Sequence, residues 1–245
     1  MTKKEILKLE NINLSYNSGK TNVLKNISFS VFSGEILSII GLNGSGKSSL
    51  LKIISGIQKQ DSGKVTKIFS KLAYVPQKIN LDDSFPILVR EFIMIYNQGI
   101  NLKDIENFLI KFNSKELINK RIDKLSGGQL QKILIISELL SSPDLILLDE
   151  PTAGIDIVGE EIFYKIIKEV KQLFPHISII LVSHNINLVY KNSDKVICLH
   201  ENNFCCHGTP MEVGNNPIIK NIFGEYTLPY KHEPHSCKKD KCSES

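Results

Sequence analysis

Apolar and polar residues alternate through the opening of the chain, in ILKLENINLSY and again in NISFSVFSGE, with Leu7, Leu9, Ile27, Phe29 and Val31 on the apolar phase. A period of two marks half-buried strands, so an antiparallel β layer is predicted to begin the fold. The next run, EILSII, is apolar at nearly every position, which predicts a strand covered on both faces. It leads into a glycine-rich loop and a helix predicted from Lys47 to about Ile57. KLAYV, DLILLD, ISIILVS and KVICLH read as further buried strands. Between them, GEEIFYKIIKEVKQLF places Ile162, Phe163, Ile166, Ile167, Val170 and Phe174 on one helical face. Strands alternating with helices in this order predict a mostly parallel α/β core.

From about residue 78 to 140 the rhythm changes to helical patterns, LVREFIMIY and KDIENFLIKF, without a convincing strand. This stretch reads as a helical subdomain inserted into one domain spanning 1–227, followed by a flexible tail over 228–245. With 245 residues, 42% of them hydrophobic, the chain can bury a substantial core. A net charge of only +4 gives no strong basic field, and no nucleic-acid partner is expected. The longest apolar candidate span, ILIISELLSSPDLILL, is interrupted by Glu138, Pro143 and Asp144, and MTKKEILKLE lacks the apolar stretch of a signal peptide. A cytosolic chain is therefore expected. All five cysteines (Cys198, Cys205, Cys206, Cys237, Cys242) fall in the last quarter and read as reduced thiols or metal ligands. CCHG, at 205–208, reads as a hairpin between strands in preference to a ligand set.

The strongest chemical signal is GLNGSGKSS, in which Gly41, Gly46, Lys47 and Ser48 match the phosphate-binding loop pattern between a buried strand and a helix. Glycines permit the tight turn. Backbone N–H groups from Asn43, Gly44 and Ser45 onward, together with the helix N-terminus, surround phosphate oxygens; Lys47 reaches the outer phosphates and the Ser48 hydroxyl ligates Mg²⁺, with Ser49 beside it. LILLDE puts Asp149 and Glu150 at the carboxyl end of a buried strand, where parallel sheets carry ligands. Asp149 suits Mg²⁺ held through water, and Glu150 suits a general base for the attacking water. His184, after ISIILVS, could hydrogen-bond a γ-phosphate or be a structural histidine; Gln77 could orient Mg²⁺ or water, and Tyr16 could stack on adenine or be an ordinary core or surface tyrosine.

KLSGGQLQK, at 124–132, is a second glycine cluster without a lysine of the same kind. With Gly41–Ser48, Gln77, LSGGQ, LILLDE, AGID and SH in this order, the chain resembles the nucleotide-binding subunits of ABC transporters over about residues 5 to 225. That resemblance implies ATP and Mg²⁺ as cofactors and a head-to-tail homodimer. Ser126, Gly127, Gly128 and Gln129 of one copy would then close over the phosphate held by the other, Asp156 would sit in the loop crossing the seam, and His184 would act as the switch. Lys132 and Ser137 depart from the pattern, since many members carry arginine there. The resemblance further implies that the helical insertion engages an integral membrane permease, with the chain peripheral on the cytoplasmic face. DSFPILVREFIMI and VICLHENNFCCHGTPMEV resemble segments of zinc and manganese importers, the zinc-import ATPases in particular. Import of Zn²⁺ supplied by an extracytoplasmic metal-binding protein is the implied activity. A manganese or iron importer ATPase and a soluble non-transport ABC ATPase are the alternatives. In the tail, His232, His235, Cys237 and Cys242 form a loose set of Zn²⁺ ligands, beside the simpler reading of a tail that binds no metal.

Overall fold

The computed structural model describes residues 4–17, 21–77, 86–201 and 203–223; the tail set His232, His235, Cys237 and Cys242 lies outside the described residues. The strands are β1 (Glu5–Tyr16), β2 (Thr21–Phe32), β3 (Ile36–Gly41), β4 (Ser62–Lys67), β5 (Leu72–Val75), β6 (Leu145–Asp149), β7 (Ser178–Val182), β8 (Lys195–His200) and β9 (Asn203–Gly208). They form one sheet in the order β4-β1-β2-β9-β8-β3-β7-β6-β5. β1 pairs antiparallel with β2 and with β4, whereas β3, β5, β6, β7 and β8 run parallel. The alternating opening segment thus forms the antiparallel layer, and the continuous apolar runs form the centre.

Every residue of β3, β6 and β7 is buried, because the sheet is covered on both sides. Leu37, Ile39, Leu145, Leu147, Ile180 and Val182 pack with Leu50, Leu51 and Ile54 of α1 (Lys47–Ser55) and with the antiparallel layer. Ile36, Ile146, Leu148, Ile179 and Leu181 point the other way, onto α4 (Gly127–Leu140) and α5 (Ile157–Leu173). Burying each such side chain contributes about 1.5–3 kcal/mol, so β3 is held rigidly just where it hands over to the glycine loop. α1 stops at Ser55, two residues before the sequence pattern suggested, because Gly56 at φ 90° supplies a left-handed cap whose N–H bonds to the Lys52 and Ile53 carbonyls.

Between β5 and β6 the described residues carry α2 (Val89–Tyr96), α3 (Leu102–Lys111), short 3₁₀ turns and α4, with a single isolated bridge between Leu88 and Arg121. Ser137, where the family pattern often has arginine, is buried and accepts from the Asn97 side chain at 3.1 Å, tying the end of α2 to α4. Two expectations need correction. Ile162 is 42% exposed; the buried face of α5 instead takes in Glu160 and Tyr164. CCHG is not a turn but part of β9, whose antiparallel pairing with β8 sets Cys206 opposite Cys198. The remaining helices are α6 (Ile186–Asn192), α7 (Pro210–Gly214) and α8 (Pro217–Phe223). No helix among the described residues is long and apolar enough to cross a membrane.

Candidate nucleotide site

The loop after β3 needs glycine at two places for steric reasons. A Cβ on Gly41 would sit 2.3 Å from the Leu199 carbonyl oxygen, and one on Gly46, at φ +94°, would sit 2.5 Å from that of Val23. Gly46 is also the N-cap of α1, where no side chain caps the helix and no acid occupies the first turn. The free N–H groups and the positive end of the helix dipole therefore suit an anion.

Lys47 is almost wholly buried beneath this loop, and its Nζ donates to the carbonyls of Gly41 at 2.9 Å and Leu42 at 3.0 Å. Its amine lies 3.7 Å from Glu150 Oε1. Burial lowers the lysine's proton affinity, while the charges of Glu150 and Asp149 oppose that shift. The buried Ser45 hydroxyl has no hydrogen-bond partner among the described residues. An unpaired hydroxyl inside an anion cradle fits a phosphate oxygen.

Beside Lys47, Ser48 Oγ donates to Asp149 Oδ1 at 2.9 Å, and Tyr74 Oη donates to Asp149 Oδ2 at 3.2 Å. Burial raises the Asp149 carboxyl above its usual range, and these two hydrogen bonds restrain the rise. Burial, with the Asp149 charge beside it, pushes the Tyr74 phenol up to about 12, so Tyr74 stays a donor at neutral pH. Gln77 Nε2 donates to Glu150 Oε2 at 2.7 Å, which orients the carboxylate. Glu150 occupies a left-handed backbone at φ 43°, uncommon for a residue other than glycine, and its N–H is held by the Val182 carbonyl at 3.1 Å. The strand end thereby turns its carboxylate into the site.

These groups meet in one cleft of about 430 Å³, walled by Tyr16, Val23, Asn43, Gly44, Gly46, Lys47, Ser48, Ser49, Gln77 and Glu150. Tyr16 stands at its mouth, its hydroxyl donating to Gln58 at 2.8 Å and lying 3.2 Å from Ser49 Oγ. Gly41, Ser45 and Asp149 lie buried or nearly so just behind that wall. The rest of the sequence-derived set is elsewhere. Ser126 caps α4, accepting from Gln129 N at 3.3 Å, while Gln129 Oε1 accepts from Ser126 N at 3.2 Å. Ser126 and Gly127 are exposed, and neither they nor Gly128 and Gln129 line the cleft. Asp156 caps α5 by accepting from Gly159 N at 2.9 Å, and His184 is exposed just beyond β7. Among the described residues, the second glycine cluster, Asp156 and His184 do not line this cleft.

Sequence reasoning missed Tyr74, Val23 and a buried network on Glu160. Thr152 Oγ1 donates to Glu160 Oε1 at 3.1 Å, and Asn185 Nδ2 donates to Oε2 at 2.7 Å. This carboxylate links the loop after Glu150 to the loop carrying His184. Its one sequence signal was an acid interrupting the apolar face of α5. The arrangement as a whole, with an anion cradle, a hydroxyl–carboxylate pair for a cation and an oriented carboxylate, is equipped to bind a nucleotide triphosphate and activate water.

A family model described as ABC transporter matches residues 24–153. The zinc import ATP-binding protein ZnuC of Wigglesworthia glossinidia brevipalpis is 40% identical over 232 residues, which is 93% of this chain and 98% of that protein. ZnuC of Buchnera aphidicola subsp. Acyrthosiphon pisum is 41% identical over 223 residues, covering 90% and 91%. Among solved structures, cbiO1 of Clostridium perfringens, part of the ABC transporter complex cbiONQ, is similar at a TM-score of 0.76 and 28% identity, with 89% of this chain and 94% of that one covered. Sequence, fold and cleft agree that the chain belongs to the ABC transporter family of ATP-binding proteins.

Proposed function

We propose that this chain is the ATP-hydrolysing subunit of an importer of divalent metal, with Zn²⁺ as cargo, working as a homodimer on the cytoplasmic face beneath an integral membrane permease. The observation that carries the catalytic part is the convergence of Lys47, the Ser48–Asp149 pair and the Gln77–Glu150 pair on one cleft. The triphosphate of ATP lies against the N-terminus of α1, with Lys47 exchanging its contacts to the Gly41 and Leu42 carbonyls for phosphate oxygens. Ser48 and Gln77 would hold Mg²⁺, with Asp149 acting through water, and the bound ion would supply neutralisation of phosphate charge. Glu150, aligned by Gln77, takes a proton from the water that attacks the γ-phosphorus, and ADP and phosphate leave. Tyr16, at the mouth of the cleft, would stack on the adenine, and His184, just beyond β7 and outside the cleft wall, would reach the γ-phosphate as the switch.

The face of the nucleotide left open by one chain is covered by Ser126, Gly127 and Gly128 of a second copy, aided by the dipole of its α4, while Gln129 braces that cap and Asp156 lies at the seam. The exposure of Ser126 and Gly127 and their absence from the cleft wall support this reading. The assignment of Zn²⁺ is supported by relatives named zinc import ATP-binding proteins that match over nine-tenths of the chain. An extracytoplasmic metal-binding protein would deliver the ion to the permease. The test is cellular metal content in a strain lacking the chain, complemented with wild type or with Glu150→Gln. Zinc should fall and recover only with wild type; normal zinc with depleted manganese or iron would replace the cargo assignment.

A further inference from the structure

Away from the nucleotide cleft, the β8–β9 hairpin collects three thiols. Cys198 on β8 pairs with Cys206 on β9, and the register slips between Cys198 and Leu199, so that Leu199 pairs with Phe204. Cys205 is therefore the extra residue of a bulge. On a regular strand Cys205 and Cys206 would point to opposite faces; here their sulfurs and that of Cys198 all lie within 4.8 Å of one another. Three thiolates around one metal at Zn–S distances of about 2.3 Å would be about 3.8–4.0 Å apart, so small side-chain rotations close the site.

A second observation points to the same spot. Tyr190 on α6 is buried, its hydroxyl has no hydrogen-bond partner among the described residues, and it packs in one cluster with Cys198, Cys205 and Cys206. An orphaned buried hydroxyl is costly, and a metal-bound thiolate is the acceptor that would satisfy it.

We propose that Cys198, Cys205 and Cys206 form a thiolate site for one soft d¹⁰ metal ion, Zn²⁺ or Cu⁺. Binding replaces up to three thiol protons with the ion, and the protons pass to solvent. Among the described residues three protein ligands converge, which leaves the fourth position of a tetrahedral site to another donor. The site does not depend on which ion is transported.

The test uses the full chain with His232→Ala, His235→Ala, Cys237→Ser and Cys242→Ser, which removes the tail ligands. Reduced protein is titrated with Zn²⁺ against a chromophoric chelator and, anaerobically, with Cu⁺, with proton release followed; Co²⁺ is added to read thiolate-to-metal charge transfer. One equivalent of Zn²⁺ or Cu⁺, released protons and thiolate bands are expected, with at least a tenfold loss of affinity in Cys205→Ser/Cys206→Ser. Retained ATP binding shows that this variant is folded; should it not fold, the Co²⁺ spectrum of the parent decides. Absence of stoichiometric binding in the reduced parent, a Co²⁺ spectrum without thiolate bands, or unchanged affinity in a folded double variant would overturn the site. ATP hydrolysis, measured alongside, reports separately on the nucleotide cleft.

Discussion

Replacing Glu150 by glutamine separates chemistry from binding, because the substitution preserves shape and leaves an oxygen to accept the Gln77 amide now held at 2.7 Å. What disappears is the base and the negative charge 3.7 Å from Lys47 Nζ. Loss of a general base lowers turnover about 10²–10⁴-fold, or roughly 3–5 kcal/mol in the barrier. The Lys47–Glu150 attraction is roughly 4 kcal/mol before solvation, at an effective dielectric of about 20. Its loss acts in the opposite direction on affinity, because Lys47 is freed for phosphate and a carboxylate that repels phosphate is gone. The expected outcome is phosphate release at saturating MgATP reduced at least 100-fold, with ATP affinity equal to or tighter than wild type. Both are read on purified protein, by coupled phosphate detection and by equilibrium nucleotide binding. A rate within tenfold of wild type, or an affinity weakened by tenfold, would refute the assignment of Glu150 as base.

Glu138 on α4 is raised from 4.5 to about 7 by burial, a shift that its hydrogen bond with Tyr96 only partly offsets. Because the folded chain binds this proton more tightly than the unfolded one, its contribution is full below pH 4.5 and is lost as pH rises through about 7. Glu138→Gln should therefore raise stability by roughly 1–3 kcal/mol at pH 8 and by almost nothing at pH 4, as urea titrations at both pH values will show. Glu160→Ala strips the acceptor from Thr152 and Asn185 inside the core; a loss of about 2–3 kcal/mol, seen as a Tm lower by roughly 4–12 °C, is expected in calorimetry. Gly46→Ala forces a Cβ to within 2.5 Å of the Val23 carbonyl at φ +94°, and nucleotide binding should be lost in filter or fluorescence assays even where the chain still folds.

The cleft was largely legible in the sequence because its residues lie in local patterns. Gly41 through Ser48 form one loop, and Asp149 and Glu150 end one apolar run, so a strand and a helix were enough to place them. Tyr74 was not legible, since its contact with Asp149 depends on the parallel register that sets Tyr74 opposite Leu147 in the neighbouring strand. Ile162 misled because a helical wheel assigns faces by angle, whereas the packing of α5 also admits Glu160, whose charge is matched by the Thr152 and Asn185 donors. β4, SGKVTK, escaped notice because it is mostly exposed and polar, and it is held by pairing with β1 instead of by burial. The thiol cluster depended on a bulge that composition does not encode.

Each nucleotide should be enclosed by two copies of the chain, the cradle around Lys47 from one and Ser126 from the other. Sedimentation equilibrium of Glu150→Gln with and without MgATP tests it most directly, with Ser126→Arg added to the same background as the control. A monomer without nucleotide, a dimer with MgATP, and a monomer that still binds ATP in the double variant are expected. A Glu150→Gln chain that remains monomeric at saturating MgATP, or a double variant that dimerises as well as its parent, would contradict enclosure by two copies.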